Sequence, residues 1–190
     1  MEFVRRAFIL AIAGVVLASL AAAEVPQFSP FFADMQITSS SETGPHDMAG
    51  KIFVGHGHMR LDMAAGGRES ASITDFATKT TDMLMIDQKM YVEYTASQTD
   101  VTCKKIGVET VSGRPCDHWE VTGKDGKVTN VWIDQILHFP IKLASQGSTI
   151  LLSNITEGEP NANLFRVPGD FQRMDTRGKT PSPTPRPPKN

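Results

Sequence analysis

Hydrophobic and polar residues alternate with a period of two along most of this chain, and each alternating stretch is short. His58 to Ala64 is the clearest case, with Met59, Leu61 and Met63 on one side and Arg60 and Asp62 on the other, as a half-buried strand requires. The same reading predicts strands over Asp34 to Ser40, His46 to Gly55 (centred on Ile52-Phe53-Val54), Arg68 to Phe76, Thr81 to Asp87 and Lys89 to Tyr94. Further strands are predicted over Asp117 to Thr122, Lys127 to Asp134, Leu137 to Leu143 and Ser148 to Glu157. Turn residues separate them, among them Ala64-Ala65-Gly66-Gly67 and Gly123-Lys124-Asp125-Gly126, where Asp-Gly is a strong hairpin signal. Such frequent punctuation belongs to an all-β domain. Pro140 has no amide donor, which favours a sheet edge or a bulge at that point. Helix is scarce. Only Pro26 to Met35, built on Phe28, Phe31 and Phe32, suggests a short amphipathic segment.

The two ends of the 190-residue chain follow other rules. Arg5 and Arg6 precede an apolar run from Ala7 to Leu20, which ends in Ala21-Ala22-Ala23. A basic start, an apolar stretch shorter than the ~20 residues of a membrane span and a small-residue finish read as an export signal cleaved after residue 23. The alternative is an uncleaved N-terminal anchor. No cysteine directly follows the apolar run, which argues against a lipid-anchored protein. From residue 176 on, Pro181, Pro183, Pro185, Pro187 and Pro188 alternate with Ser, Thr and basic residues. That composition predicts an extended, disordered tail. The expected layout is a signal at 1–23, a β domain at 24–175 and the tail at 176–190.

Charge is divided in the same way. Between Glu24 and Thr176 there are 13 basic and 20 acidic side chains, and the four charged residues beyond Thr176 are all basic. An acidic body argues against nucleic acid as a partner. Export implies an oxidising compartment, so Cys103 and Cys116, which enclose 12 residues, are expected to form a disulfide. On the chain-entropy model such a closure is worth about 3 kcal/mol. Two separate buried thiols are the alternative. His56-Gly57-His58 is the best metal candidate, because residues two apart share a strand face, with His46 as a possible third ligand. The flanking glycines instead favour an exposed hairpin end. No serine elbow, zinc-binding helix or phosphate-cradling glycine loop is present, so neither an enzyme nor a cofactor is expected.

The order of these elements resembles a known superfamily. A Gly-Lys-Ile-Phe-Val strand at Gly50 to Val54 leads into a Met-Arg-Leu-Asp-Met strand at Met59 to Met63. Many antiparallel strands follow, and the run finishes with Ser153-Asn154-Ile155 and Leu164-Phe165-Arg166-Val167-Pro168. In this it resembles the outer-membrane lipoprotein-carrier (LolA/LolB-like) superfamily, over roughly Phe28 to Met174. The resemblance implies a mainly β fold: a curved antiparallel sheet forming an incomplete half-barrel whose hollow binds acyl chains. It implies a periplasmic location, and a lid-holding role for Arg60. The short N-terminal segment would be nearly the only helix, which departs from the helical lids of the carriers.

The expected function is a soluble exported carrier or sensor that holds an apolar ligand, such as a lipid or lipoprotein acyl chain, in the concave face. Membrane contact would be at most peripheral. Methionine adapts its shape to varied apolar ligands. The expected wall is Met59, Leu61, Met63, Met83, Met85, Met90, Trp132 and Phe139. The alternative is an envelope interaction protein that docks a protein or peptide without lipid cargo.

Overall fold

The computed structural model describes residues 27–41, 44–95 and 100–174. The expected signal at 1–23 and the tail at 176–190 lie outside the described residues. Twelve strands form one sheet: β1 Phe31–Ser41, β2 Gly44–Gly55, β3 His58–Ala65, β4 Arg68–Asp75, β5 Thr80–Met85, β6 Met90–Thr95, β7 Val101–Val111, β8 Arg114–Gly123, β9 Val128–Asp134, β10 Pro140–Ser145, β11 Ser148–Glu157 and β12 Gln172–Arg173. Their order is β12-β6-β5-β4-β3-β2-β1-β11-β10-β9-β8-β7. Two antiparallel meanders, β1 to β6 and β7 to β11, meet where β11 pairs with β1. The two-residue contact of β12 with β6 is parallel. Short 3-10 turns at Ile86–Gln88 and Ala162–Phe165 are the only helical elements among the described residues.

The local chemistry accounts for these boundaries. Gly66 and Gly67 both have positive φ, +60° and +73°, the backbone of a two-residue turn whose twist matches the flanking strands. His56 (φ 51°) and Gly57 (φ 74°) make the corresponding turn between β2 and β3. Pro140 opens β10 beside a register shift between Pro140 and Lys142, so its missing donor falls at an irregularity, as expected.

The sheet is strongly curled. Phe76 directly follows β4 and Phe139 directly precedes β10, and those strands lie five steps apart in the sheet. A flat sheet would separate them by about 24 Å. Instead the ring of Phe28 contacts both, with centroids 5.1 Å from Phe76 and 5.0 Å from Phe139. Phe31 meets Phe139 from the other side at 5.2 Å. The face carrying Phe31, Ala33, Met35 and Ile37 of β1, Ile52 and Val54 of β2, Met59 and Leu61 of β3, and Leu143, Ile150 and Leu152 of β10 and β11 is therefore concave, and its buried side chains form the main core.

Two expectations need correction. The segment Phe31 to Met35 is strand, not helix, and Gln27 to Pro30 carries no regular structure. Phe31 is buried in the core and Phe32 is 41% exposed, so the two neighbours face opposite ways. Adjacent phenylalanines suggested one apolar face, but the backbone alternates. The disulfide is also absent, and both thiols are free. The segment between them is the β7–β8 hairpin, in which Cys103 pairs with Val121 and Cys116 with Glu109. The cysteines therefore sit five residue steps apart along the hairpin, about 17 Å, on opposite faces. A disulfide needs Cα atoms within about 7 Å.

Candidate functional site

The register places the methionines together. Met63 pairs with Gly50 on one side and Ser70 on the other, Ser70 pairs with Met85, and Met85 with Met90. One row along, Leu61, Ser72, Met83 and Val92 run across β3 to β6. All of these lie on the concave face by strand parity. Met59 and Leu61 are buried in the core. Met63, Met83, Met85 and Met90 are only half-buried. They form a shelf at the β4–β6 end of the hollow. Gly50 makes this packing possible, because a Cβ there would lie 2.6 Å from Met63 Sδ and 3.4 Å from Met35 Cε. The small Ser70 and Ser72 between methionine rows leave the shelf shallow.

The centre of the hollow is closed. Met35, Ile52, Met59, Leu61, Phe139 and Leu143 surround a cavity of only about 30 Å³, roughly the volume of one water. A second cavity of about 20 Å³ lies between Leu61, Met63 and Met83. Of the expected wall, the structure thus brings together Met59, Leu61, Met63, Met83, Met85 and Met90, with Phe139 at the far side of the core.

Trp132 does not join them. It lies one residue from the core residue Val131, and so on the convex face. There it stacks on His118 with centroids 4.4 Å apart, beneath Lys142 Nζ at 4.2 Å from the ring centre. Its Nε1 donates to Glu109 Oε2 at 2.8 Å, and His118 Nδ1 lies 2.8 Å from Glu109 Oε1. Those hydrogen bonds from Trp132 and His118 hold the Glu109 carboxyl below the usual carboxylate range.

Arg60 holds a covering segment, but on the convex side. Its Nη1 donates to the Leu164 carbonyl at 2.9 Å and its Nε to Asp62 at 2.7 Å. Leu164 belongs to a C-terminal strap, residues 159–174, which crosses the convex face of β3 to β6. Phe165 anchors the strap in a second apolar cluster with Ala71, Ile73 and Leu84. Lys89 pairs with Asp170, Arg173 Nη2 donates to Glu93 at 2.6 Å, and the amides of Gln172 and Met174 donate to the carbonyls of Lys89 and Tyr91. Asp82 lies beneath this end of the strap with a buried, unpartnered Oδ1. Burial first, then the neighbouring Glu93, pushes its pKa up.

His56 and His58 do not share a strand face, since His56 sits in the turn. His56 Nε2 lies 3.2 Å from Glu159 Oε2 and 3.1 Å from the Pro160 carbonyl. His58 Nδ1 lies 2.6 Å from the His56 carbonyl. Both rings contact Phe165. Among the described residues no group of three or more His, Cys, Asp or Glu side chains is placed to hold a metal ion. The hairpin instead secures the strap, a role that Phe165 did not signal in the sequence. Among the described residues no helix is long and apolar enough to cross a membrane.

Comparison with known proteins agrees with the architecture. An uncharacterized conserved protein from Thermus thermophilus is similar over 88% of this chain and 98% of its own, at 11% identity and a TM-score of 0.57. A chain in the MucA/MucB complex of Pseudomonas aeruginosa is similar over 85% of this chain, at 15% identity and a TM-score of 0.53, and the match spans 61% of that chain. A LolA superfamily protein from Nitrosomonas europaea matches 80% of this chain and 97% of its own, at 12% identity and a TM-score of 0.43. No curated protein matches the sequence. At such identities the likeness is one of fold alone, and it is the fold shared with the Thermus protein and the chain of the MucA/MucB complex. The model of DUF4412, a domain of unknown function, matches residues 31–138, more than half of the chain, and the chain therefore belongs to the DUF4412 family.

Proposed function

We propose that this protein is an exported binding protein that receives an apolar group on the methionine shelf, and that an envelope protein or peptide presents that group. The observation that carries this reading is the contrast between the centre and the end of the concave face. The centre holds a cavity of about 30 Å³, far too small for an acyl chain. The end presents four half-buried methionines on one face of adjacent strands. A shallow, adaptable apolar surface suits side chains offered by a partner better than a long chain that must be engulfed. The similarity in fold to a chain from a two-protein complex is consistent with such a role.

A second reading keeps the lipid. Leu61 and Met63 line a small cavity that continues from the shelf toward the core. An acyl chain that displaced these flexible side chains would gain about 0.8 kcal/mol per buried CH₂.

Photo-crosslinking in an exporting host separates the two. A photoreactive phenylalanine analogue is placed at Met83 or Met85, and at Gln36 on the convex face as a control. A protein adduct at the shelf positions only supports partner docking. A lipid adduct there supports the second reading. Equal adducts at Gln36, or none at the shelf, would overturn both.

A further inference from the structure

Besides the core cavities, the described residues enclose a cleft of about 330 Å³ beside the β2–β3 turn. It lies about 17 Å along β3 from the methionine shelf, counted from His58 to Met63, and is independent of the function proposed above. Phe28, Pro30, Val54 and Phe76 supply an apolar floor, and His56, His58 and Glu159 stand among its lining residues. We propose that this cleft binds a primary ammonium group on a short alkyl stem.

The polar atoms of the cleft favour a cationic donor. His58 Nδ1 donates to the His56 carbonyl at 2.6 Å, which leaves Nε2 as the one nitrogen of that ring able to accept. His56 Nε2 donates to the Pro160 carbonyl and lies 3.2 Å from Glu159 Oε2, which leaves Nδ1 as the one nitrogen of that ring able to accept. Glu159 adds a carboxylate, and Asp75 adds another behind His58, 3.7 Å from its Nε2. Burial pushes the Asp75 carboxyl up, but the amides of Thr78 and Ala77 outweigh it and keep the group ionised. No lysine or arginine lines the cleft among the described residues.

The site therefore offers acceptors and negative charge. A primary ammonium is the complementary group, with three donors and no acceptor. The rings of Phe28 and Phe76 suit both the alkyl stem and the cation, which aromatic faces attract. A volume near the lower end of the range for ligand pockets limits the stem to a few carbons.

The test is calorimetric titration of the protein purified from an exporting host, at pH 8, above the unperturbed imidazole value of about 6.5. The probes are n-hexylammonium, hexanol and hexanoate. The proposal expects hexylammonium to bind at least tenfold more tightly than hexanol, with no heat from hexanoate. Glu159→Gln should weaken hexylammonium about tenfold or more, while Glu69→Gln, an exposed carboxylate on β4, should leave it unchanged. Equal binding of the alcohol, tighter binding of the carboxylate or indifference to Glu159→Gln would overturn the proposal. Because Glu159 is the first residue of the strap, the unmodified protein with the three probes decides the matter even if that variant unfolds. Nα-acetyl-lysine methylamide distinguishes the source. Binding as tight as hexylammonium assigns the cleft to a lysine side chain presented by a polypeptide, and binding of hexylammonium alone assigns it to a small free amine.

Discussion

Gly50 sits directly opposite Met63 in the β2–β3 ladder, and the methionine occupies the space where a side chain on Gly50 would be. A Cβ at Gly50 would also come within 2.4 Å of the Asp62 carbonyl. That obstacle is backbone, so the strand itself must move.

Gly50→Ala is accordingly expected to destabilise the protein by about 1–3 kcal/mol, the usual cost of forcing extra atoms into a packed site. Urea unfolding followed by tryptophan fluorescence measures it. An unchanged midpoint would mean that β2 and β3 can separate freely at this point.

Arg60→Ala removes the hydrogen bond to the Leu164 carbonyl from a side chain that is only 16% exposed. Charge-assisted hydrogen bonds of this kind contribute about 1.5–3 kcal/mol. The strap should loosen before the core does. In hydrogen exchange, the amides of Gln172 and Met174 should lose about tenfold or more of their protection, while those of β1 and β11 keep theirs. Uniform loss across the sheet would contradict a local latch.

Asp134 is fully buried at the end of β9. Burial pushes its carboxyl up, but Arg114 and the amides of Leu137 and Ile136 outweigh that and hold it below the ordinary carboxylate value. A depressed pKa contributes stability above the unfolded value of about 3.9, lost as pH falls through the folded pKa. Thermal midpoints should therefore fall steeply below about pH 4. Asp134→Asn should cost about 1.5–3 kcal/mol at neutral pH, because Arg114 keeps only Glu157 as a carboxylate partner, and should flatten the acid limb. An acid limb as steep in the variant as in the native protein would assign acid sensitivity to other carboxylates.

The cysteines should behave as independent thiols. Burial raises the Cys116 pKa, with Asp134 adding to it, and Cys103 is half-buried on the edge strand β7. Intact mass after iodoacetamide treatment of the native protein should show one rapid addition, at Cys103, and a second only on unfolding. Reducing agent should leave the thermal midpoint unchanged. A mass two protons lighter, with no alkylation, would restore the disulfide.

Most strands were legible because alternation is local, although β7 was not predicted and the strand expected from Leu137 begins only at Pro140. The pattern at Met59 to Met63 needs no partner to be recognised, and β3 runs as expected. The Asp-Gly turn and the irregularity at Pro140 follow from backbone rules just as short in range. Phe31-Phe32 misled because adjacent aromatics fit either a helical stripe or the two faces of a strand, and only pairing with β2 and β11 selects the strand. Cys103 and Cys116 misled for a related reason. Separation along the chain says nothing about register, and a hairpin turn at Ser112-Gly113 fixes the two on opposite faces far apart.

From its sequence alone, then, this protein was determined to be a β domain with methionines on strand positions of equal parity, because period-two alternation and turn chemistry are properties of a few consecutive residues. The tertiary structure decided what those residues enclose. Curling of the sheet brought Phe76 and Phe139 onto the same Phe28, filled the centre of the hollow and left Met63, Met83, Met85 and Met90 half-buried at one end. It also put Arg60 and Trp132 on the convex face, where Arg60 holds a strap that begins about a hundred residues later in the chain. Contacts between distant strands depend on sheet order and curvature, and those arise from the packing of the whole sheet rather than from any one strand.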